Sequence, residues 1–342
     1  MPSGPLVVFL KGEFAMSFAL SLPSNSNRDA ATADSDKPSV GGSYKLRVPV
    51  FALINPQSGS GCGEAVQAQL HRAAERCGVQ FECERLSDGN RDPVGRAIER
   101  GAKTILVIGG DGTVSKAASI AAMHDVDFGI VPTGTANLIA KSLAIPEDTS
   151  AAIDLIFGGH RVEKIDGMRQ GIQLAFSHVS MGTYSRIAVK ENAVAKRRFG
   201  KLVYVARALR EIVANRDWRF DLDLDGVRHR RRASLVLIAN VHPVGIAGMS
   251  WGDQIRPSDG RIEVCVIRAK GFLGHVSLLY NALKGRTAES DQIEYLTATT
   301  SIKVSSKRPL PVRADGEILD RATIDIDVIP AVLPVIVPQQ VN

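Results

Sequence analysis

Four short apolar runs, at residues 48–54, 79–86, 104–108 and 128–131, alternate with amphipathic or small-residue segments at 64–77, 93–100, 114–122 and 136–143. Runs this apolar need cover on both faces, and parallel strands joined by helical crossovers provide it. The pattern therefore predicts an α/β fold whose open parallel sheet is flanked by helices. In the helix at 64–77, Val66, Leu70, Ala73, Ala74 and Cys77 fall on one face. A further helix at 150–157 stops at Gly158 and Gly159. After about Val162 the chain changes to alternating, β-branched strands with turn signals: 220–224 closed by Asp225-Gly226, then 233–239, 302–304, 317–319 and 322–328. Helices at 202–213 and 272–283 interrupt this second, mainly β domain.

Residues 21–43 are rich in Ser, Asp and Ala and cannot bury enough apolar area to offset their ordering entropy. The expected organisation is a flexible leader at 1–46, an α/β domain at 47–163, a β-rich domain at 164–330, and a Pro-broken apolar strand at 331–342 packing back on the fold. Met16 offers a second start, which the intact mass of native protein would settle. The segment 5–10 is too short for a convincing signal peptide, and no run reaches membrane-spanning length. Cys62, Cys77, Cys83 and Cys265 show neither C-x-x-C pairing nor zinc-finger spacing, which points to a reducing compartment. The chain is expected to be soluble and cytoplasmic. Its 42 Lys+Arg against 36 Asp+Glu suit anionic partners but not a nucleic-acid coat, and 5% aromatic residues are too few for base stacking, so no nucleic-acid partner is expected.

Gly109-Gly110-Asp111-Gly112-Thr113 sits at the end of the most apolar strand, just before a helix. Ligands of open α/β sheets bind at that edge, and glycines let backbone N–H groups approach phosphate. A carboxylate there would repel phosphate, so Asp111 suits a nucleotide site with Mg²⁺ between the two; the other reading is a tight turn with Asp or Thr as a cap. Asn55-Pro56-Gln57-Ser58-Gly59-Ser60-Gly61 and Pro132-Thr133-Gly134-Thr135-Ala136-Asn137 follow two other strands and would converge on the same edge. Later, Ala314-Asp315-Gly316-Glu317 and Pro257-Ser258-Asp259-Gly260 read by themselves as hairpin turns.

N-P-x-S-G-x-G, G-G-D-G-T and P-x-G-T-A-N, in this order and spacing, resemble the catalytic domain of the diacylglycerol kinase superfamily, which includes bacterial diacylglycerol kinase-like, sphingosine and ceramide kinases. The resemblance extends from about Val48 towards the C-terminus. It implies an ATP- and Mg²⁺-dependent lipid kinase with an N-terminal three-layer nucleotide-binding domain, a β-sandwich-like second domain and an active site between them. In that family the D-G-E motif supplies the catalytic base and its support, here Glu317 and Asp315, while Asp111 positions catalytic Mg²⁺. A structural Mg²⁺ would take the side chain of Asp259 and the carbonyls of Arg256 and Arg261. The nucleotide would contact Asn55, Pro56, Ser58, Gly59, Ser87, Gly134, Thr135 and Asn137. Backbone N–H groups from Gly109 and Gly110 through Asp111, Gly112, Thr113 and Val114 to Ser115 would hold its phosphates.

One departure leaves the lipid open. Many bacterial members continue the third loop as D-F-A, whereas Asn137 is followed by Leu138-Ile139-Ala140, so diacylglycerol, ceramide and a sphingoid base all remain candidates. His178 and Ser180 either line the lipid cleft or belong to a packed strand. A lipid substrate implies peripheral association with the inner face of the membrane. Lys190, Lys196, Arg197, Arg198 and Lys201, or the run Arg228-His229-Arg230-Arg231-Arg232, would meet anionic phospholipid or be solvated faces. A homodimer is compatible with this class, though no heptad marks one. The competing readings are an NAD kinase-type enzyme, which shares G-G-D-G and a two-domain plan, and a catalytically inert nucleotide- or lipid-binding regulator.

Overall fold

A computed structural model describes residues 45–59, 63–87, 92–182, 217–243, 250–269, 271–284, 286–287, 290–319 and 322–339. The leader up to residue 44, Ser60, Gly61, Cys62, the basic residues between 190 and 201 and the helix expected at 202–213 lie outside the described residues.

The chain begins as the alternation requires: β1 (Val50–Ile54), α1 (Gly63–Cys77), β2 (Phe81–Arg85), α2 (Pro93–Glu99), β3 (Thr104–Gly109), α3 (Asp111–Ala121), β4 (Asp127–Pro132), α4 (Leu138–Ser142) and α5 (Thr149–Gly158). Strands β2, β1, β3 and β4 pair in parallel in that order. Every residue of β1, β3 and β4 is buried, so both sheet faces are covered; α1 packs against α5, and α2 against α3. Two boundaries differ from expectation. Helix α3 starts at Asp111 rather than 114, because Gly110 takes an extended conformation as its N-cap and the Gly-Asp-Gly loop becomes the helix's first turn. Helix α4 starts at Leu138 rather than 136, because Asn137 adopts a left-handed φ of 50°.

The β-rich half contains β5 (Arg161–Gln170), β6 (Gln173–Ala175), β7 (His178–Gly182), β8 (Trp218–Leu224), β9 (Val227–Ala233), β10 (Leu235–Ala239), β11 (Ile262–Ile267), α6 (Gly271–Leu283), β12 (Ile293–Ala298), β13 (Ser301–Ser306), β14 (Val312–Ala314), β15 (Glu317–Leu319) and β16 (Ile324–Val337). The segment expected as one strand at 233–239 divides at Ser234. Strand β9 stays with β8, while β10 joins a six-stranded sheet ordered β12-β11-β10-β7-β14-β15. Side chains from that sheet and from β8, β13 and β16, such as Val236, Val264, Phe220 and Ile326, form one apolar core between two layers.

The expected break at 330/331 does not exist. Strand β16 is continuous: Ile324–Asp327 pair with β13, while Leu333–Val337 pair with β5 and Val335 meets Phe128 of β4. Pro330 falls within a register shift around Ala331, whose φ is 51°, while Pro334 sits in the resumed ladder opposite Lys164. Ile324, Ile326 and Val328 enter the sandwich core, and Val335, Ile336 and Val337 the α/β core. Among the described residues no helix is long and apolar enough to cross a membrane.

Candidate nucleotide and acceptor site

The three glycine-containing loops meet where β1, β3 and β4 end. Asn55 Nδ2 donates to Thr113 Oγ1 at 2.7 Å, tying the first loop to α3. Ser58 Oγ and Thr133 Oγ1, 2.7 Å apart, tie the first loop to the third. The Asp111 carboxylate accepts from Asn137 N at 2.9 Å and Leu138 N at 2.6 Å, tying the second to the third and capping α4. Asn137 closes its own loop by accepting from Gly134 N and donating to Gly134 O, each at 3.0 Å.

Two glycines explain how backbones come this close. A Cβ on Gly134 would lie 2.6 Å from Gly110 Cα, and one on Gly110 would lie 3.2 Å from Gly134 Cα. Gly112 differs, since a Cβ there meets nothing within 4 Å. The first two glycines serve loop-to-loop packing, while Gly112 opens onto a cleft. The N–H groups of Thr113 and Val114 both donate to Gly110 O, so they are not free to hold phosphate as expected. The N–H groups left without an intrahelical partner narrow to the very start of α3.

The second half reaches α3 through Asp315. This residue has a φ of 45° in the tight turn between β14 and β15. Ser115 Oγ donates to its Oδ2. Its carboxylate also accepts from Phe176 N at 2.8 Å, Ser177 N at 2.9 Å, Ser177 Oγ at 2.6 Å and His178 N at 3.0 Å. Asp315 is thus a positioning residue whose lone pairs fasten the turn to α3 and to the start of β7. Glu317, two residues on, is exposed and pairs with Lys116 of α3, Nζ to Oε1 at 2.8 Å. Burial pushes the His178 imidazole below its ordinary value against the opposing pull of Asp315.

Two cavities flank this junction. One, of about 250 Å³, is lined by Asn55, Ser58, Gly59, Gly134, Asn137 and Glu147 among others. The other, of about 100 Å³, is bounded by Gly112, Ser115 and Lys116 of α3, by Asp315 and Glu317, and by Gln170, Leu174 and Leu319. Pro56, Ser87 and Thr135 are exposed. Val114 is buried in the α/β core, which excludes its side chain from a ligand.

The residues expected to hold a second Mg²⁺ form a different place. Asp259 is exposed, and its Oδ1 accepts from Arg261 N at 3.0 Å. Its carboxylate neighbours are Asp166 and Glu263. Glu263 is 5% exposed with Oε2 unpartnered, and burial, reinforced by Asp259, pushes its carboxyl up to about 7. Asp166 is consumed by structure: its carboxylate accepts from Gly260 N and Ala331 N, both at 2.8 Å, which pins the turn after Pro257 to the β16 irregularity. Among the described residues no three His, Cys, Asp or Glu side chains gather at metal-binding distance, so Asp111 and Asp259 do not share a preformed carboxylate cage. An exposed carboxylate beside an orphan buried carboxylate oxygen does suit a hard, oxygen-liganded cation.

Sequence reasoning missed Lys116, Glu147, Asp166 and Gln170. None sits in a recognisable motif, although Asp166 precedes a glycine and Lys116 lies one turn past the Gly-rich loop. The run at 228–232 is the edge strand β9, where Arg228, Arg230 and Arg231 face Asp223, Asp221 and Glu294.

Residues 49–169 match the diacylglycerol kinase catalytic domain, and residues 177–337 match the YegS C-terminal NAD kinase beta sandwich-like domain. The chain is 28% identical over 300 residues to a diacylglycerol kinase of Mycobacterium tuberculosis, covering 85% of this chain and 95% of that one. An uncharacterized protein of Synechocystis is 24% identical over 242 residues; there the match spans 70% of this chain and 55% of the relative. A crystal structure of a diacylglycerol kinase from Bacillus anthracis superposes with a TM-score of 0.65 at 19% identity, over 84% of this chain and 96% of that one, a likeness of fold.

Proposed function

The chain belongs to the diacylglycerol kinase catalytic-domain superfamily and is a lipid kinase, and from that premise we propose that it transfers the γ-phosphoryl group of ATP, with Mg²⁺, to the hydroxyl of diacylglycerol, ceramide or a sphingoid base. The observation that carries this reading is the Ser115–Asp315 hydrogen bond, which fastens the turn bearing Glu317 to the helix that starts in the Gly-rich loop.

Phosphoryl transfer has a loose transition state, so the protein mainly aligns the acceptor oxygen and offsets charge. The nucleotide occupies the cavity beside Asn55, Ser58 and Gly59, with its phosphates at the α3 N-terminus, where Gly112 permits close approach. The lipid hydroxyl enters the neighbouring cavity and attacks the γ-phosphorus as Glu317 takes its proton. The bond from the γ-phosphorus to the β–γ bridging oxygen breaks, and ADP carries away the electron pair. Lys116 keeps the Glu317 carboxylate directed at the cleft and adds positive charge beside the transferring group. A catalytic Mg²⁺ would supply further charge neutralisation and would be held by Asp111, whose oxygens each keep a lone pair; a separate, structural Mg²⁺ would be held by Asp259 with the Arg256 and Arg261 carbonyls.

A lipid substrate requires contact with the bilayer, which fits peripheral association with the cytoplasmic membrane face. Because Arg228, Arg230 and Arg231 of β9 already pair with carboxylates of β8 and β12, attraction to anionic phospholipid falls mainly to the basic residues between 190 and 201. The test is transfer of labelled γ-phosphate to micellar diacylglycerol, ceramide and sphingosine, with Glu317→Gln as control. NAD belongs in the same panel, because the second domain matches an NAD kinase beta sandwich-like model; label in NAD and in no lipid would overturn this reading.

A further inference from the structure

Helix α6 lies over the outer face of the six-stranded sheet. Its Leu278 packs against Leu235, Leu237, Cys265 and Ile267 of β10 and β11, which alternate with the residues that enter the sandwich core. The opposite side of the helix is apolar too, and it is open: Leu273, Val276 and Tyr280 are 80%, 44% and 58% exposed. Helical geometry places these three within an arc of about 60°, roughly opposite Leu278. Single exposed apolar residues are ordinary, but a stripe at this spacing on a helix already packed on its other side calls for a second cover. Charge identifies what fits. From residue 269 to residue 288 the chain carries Lys270, Lys284 and Arg286 and no Asp or Glu. Lys284 and Arg286 are exposed, and Lys284 falls on the stripe itself, one turn beyond Tyr280. Lysine is depleted from the cores of protein interfaces, whereas a cationic edge on an apolar helix face complements anionic lipid headgroups.

We propose that the outer face of α6 docks on a phospholipid bilayer. Leu273 and Val276 enter the boundary between headgroups and acyl chains, while Tyr280 and Lys284 bury their apolar stems there and keep their polar tips at headgroup level. This rests on the reading of the protein as a peripheral membrane enzyme and gives that reading a surface. The docked helix and the acceptor site belong to one sheet. Strand β11, beneath α6, is four strand spacings from β15, which begins at Glu317, or about 19 Å at the usual separation. Anchor and acceptor site are therefore carried by the same hydrogen-bonded layer.

The experiment is co-sedimentation of the full chain with vesicles of phosphatidylcholine alone and of phosphatidylcholine mixed with phosphatidylglycerol. Wild type is compared with a Leu273→Gln/Val276→Gln/Tyr280→Gln triple variant and with Met123→Gln, which alters an exposed apolar residue far along the chain from α6. The triple variant should lose about tenfold or more in binding to both kinds of vesicle, because the lost contribution is apolar rather than electrostatic. Its melting temperature should stay within a degree or two of wild type, since exposed positions contribute little to stability. Met123→Gln should bind as wild type does. Triple-variant binding equal to wild type would overturn the docking face while leaving membrane association intact. A wild type that binds neither vesicle would overturn both. A wild-type dimer in sedimentation velocity that the triple substitution dissociates would assign the face to a second copy of the chain, and so would also overturn the proposal. Binding is read without turnover, so failure of phosphate transfer and failure of docking are told apart.

Discussion

Lys116 Nζ lies 2.8 Å from Glu317 Oε1, joining the helix that starts in the Gly-rich loop to the strand that follows the Asp315-Gly316 turn. Both side chains are exposed, at 70% and 56%, so the pair contributes little to stability, and under the proposed mechanism its effect falls on turnover. Lys116→Met should leave the melting temperature within a degree or two and lower kcat by about tenfold, while Glu317→Gln should lower it by about a hundredfold or more. Steady-state transfer assays alongside thermal melts check both; a Glu317→Gln protein that turns over normally would remove that residue from the role of base.

Asp315 should behave differently, because five donors converge on it. Asp315→Ala strands backbone N–H groups of residues 176–178 and is expected to cost about 2–4 kcal/mol in urea unfolding, with activity falling in parallel. Asp315→Asn, which keeps one acceptor oxygen, should recover part of both.

The glycines separate packing from binding. Gly134→Ala forces a methyl group to 2.6 Å from Gly110 Cα, so the second and third loops must part; ATP affinity should drop about tenfold or more and thermal stability with it. Gly112→Ala has open space and a helical position, so it should raise the melting temperature by a few degrees while still weakening ATP binding. Isothermal titration with ATP and melting curves on the two variants distinguish these outcomes.

Acid sensitivity has an identifiable contributor in Asp225. Partial burial would raise its pKa, but hydrogen bonds from Ser301 N, Thr300 Oγ1, Thr299 N and Thr300 N prevail and hold the carboxyl well below the usual range. A carboxylate depressed in the folded state stabilises fully above its unfolded pKa near 4 and loses that contribution as pH falls through the folded value. Asp225→Ala should therefore melt below wild type at pH 7, and the gap should shrink steadily below pH 4. A gap that stays constant from pH 7 to pH 2 would exclude this contribution.

The strand-to-loop pattern of the first half was readable because each apolar run and each Gly-rich loop is local, and parallel pairing follows from those runs, whereas the order β2-β1-β3-β4 does not. The D-G-E turn was readable as a motif, and its link to Ser115 was not, since 200 residues separate the partners. Distance along the chain also concealed Lys116 opposite Glu317, Asp166 beneath the turn after Pro257, and Gln170 in the acceptor cavity. The C-terminal error has another cause. Pro330 and Pro334 normally mark a strand's limits, yet a left-handed Ala331, whose N–H bonds to Asp166, lets one strand continue past them.

That shared strand has a consequence for biosynthesis. Phe128 acquires its β16 neighbour, Val335, only after about two hundred further residues have been added, so at ribosomal speed the β4 edge waits roughly 10–40 s. Throughout that interval the nascent α/β half presents an apolar, unpaired edge to its surroundings. Chaperone dependence during translation, and insolubility of fragments truncated before residue 324, should be the cost of closing both cores with one late segment.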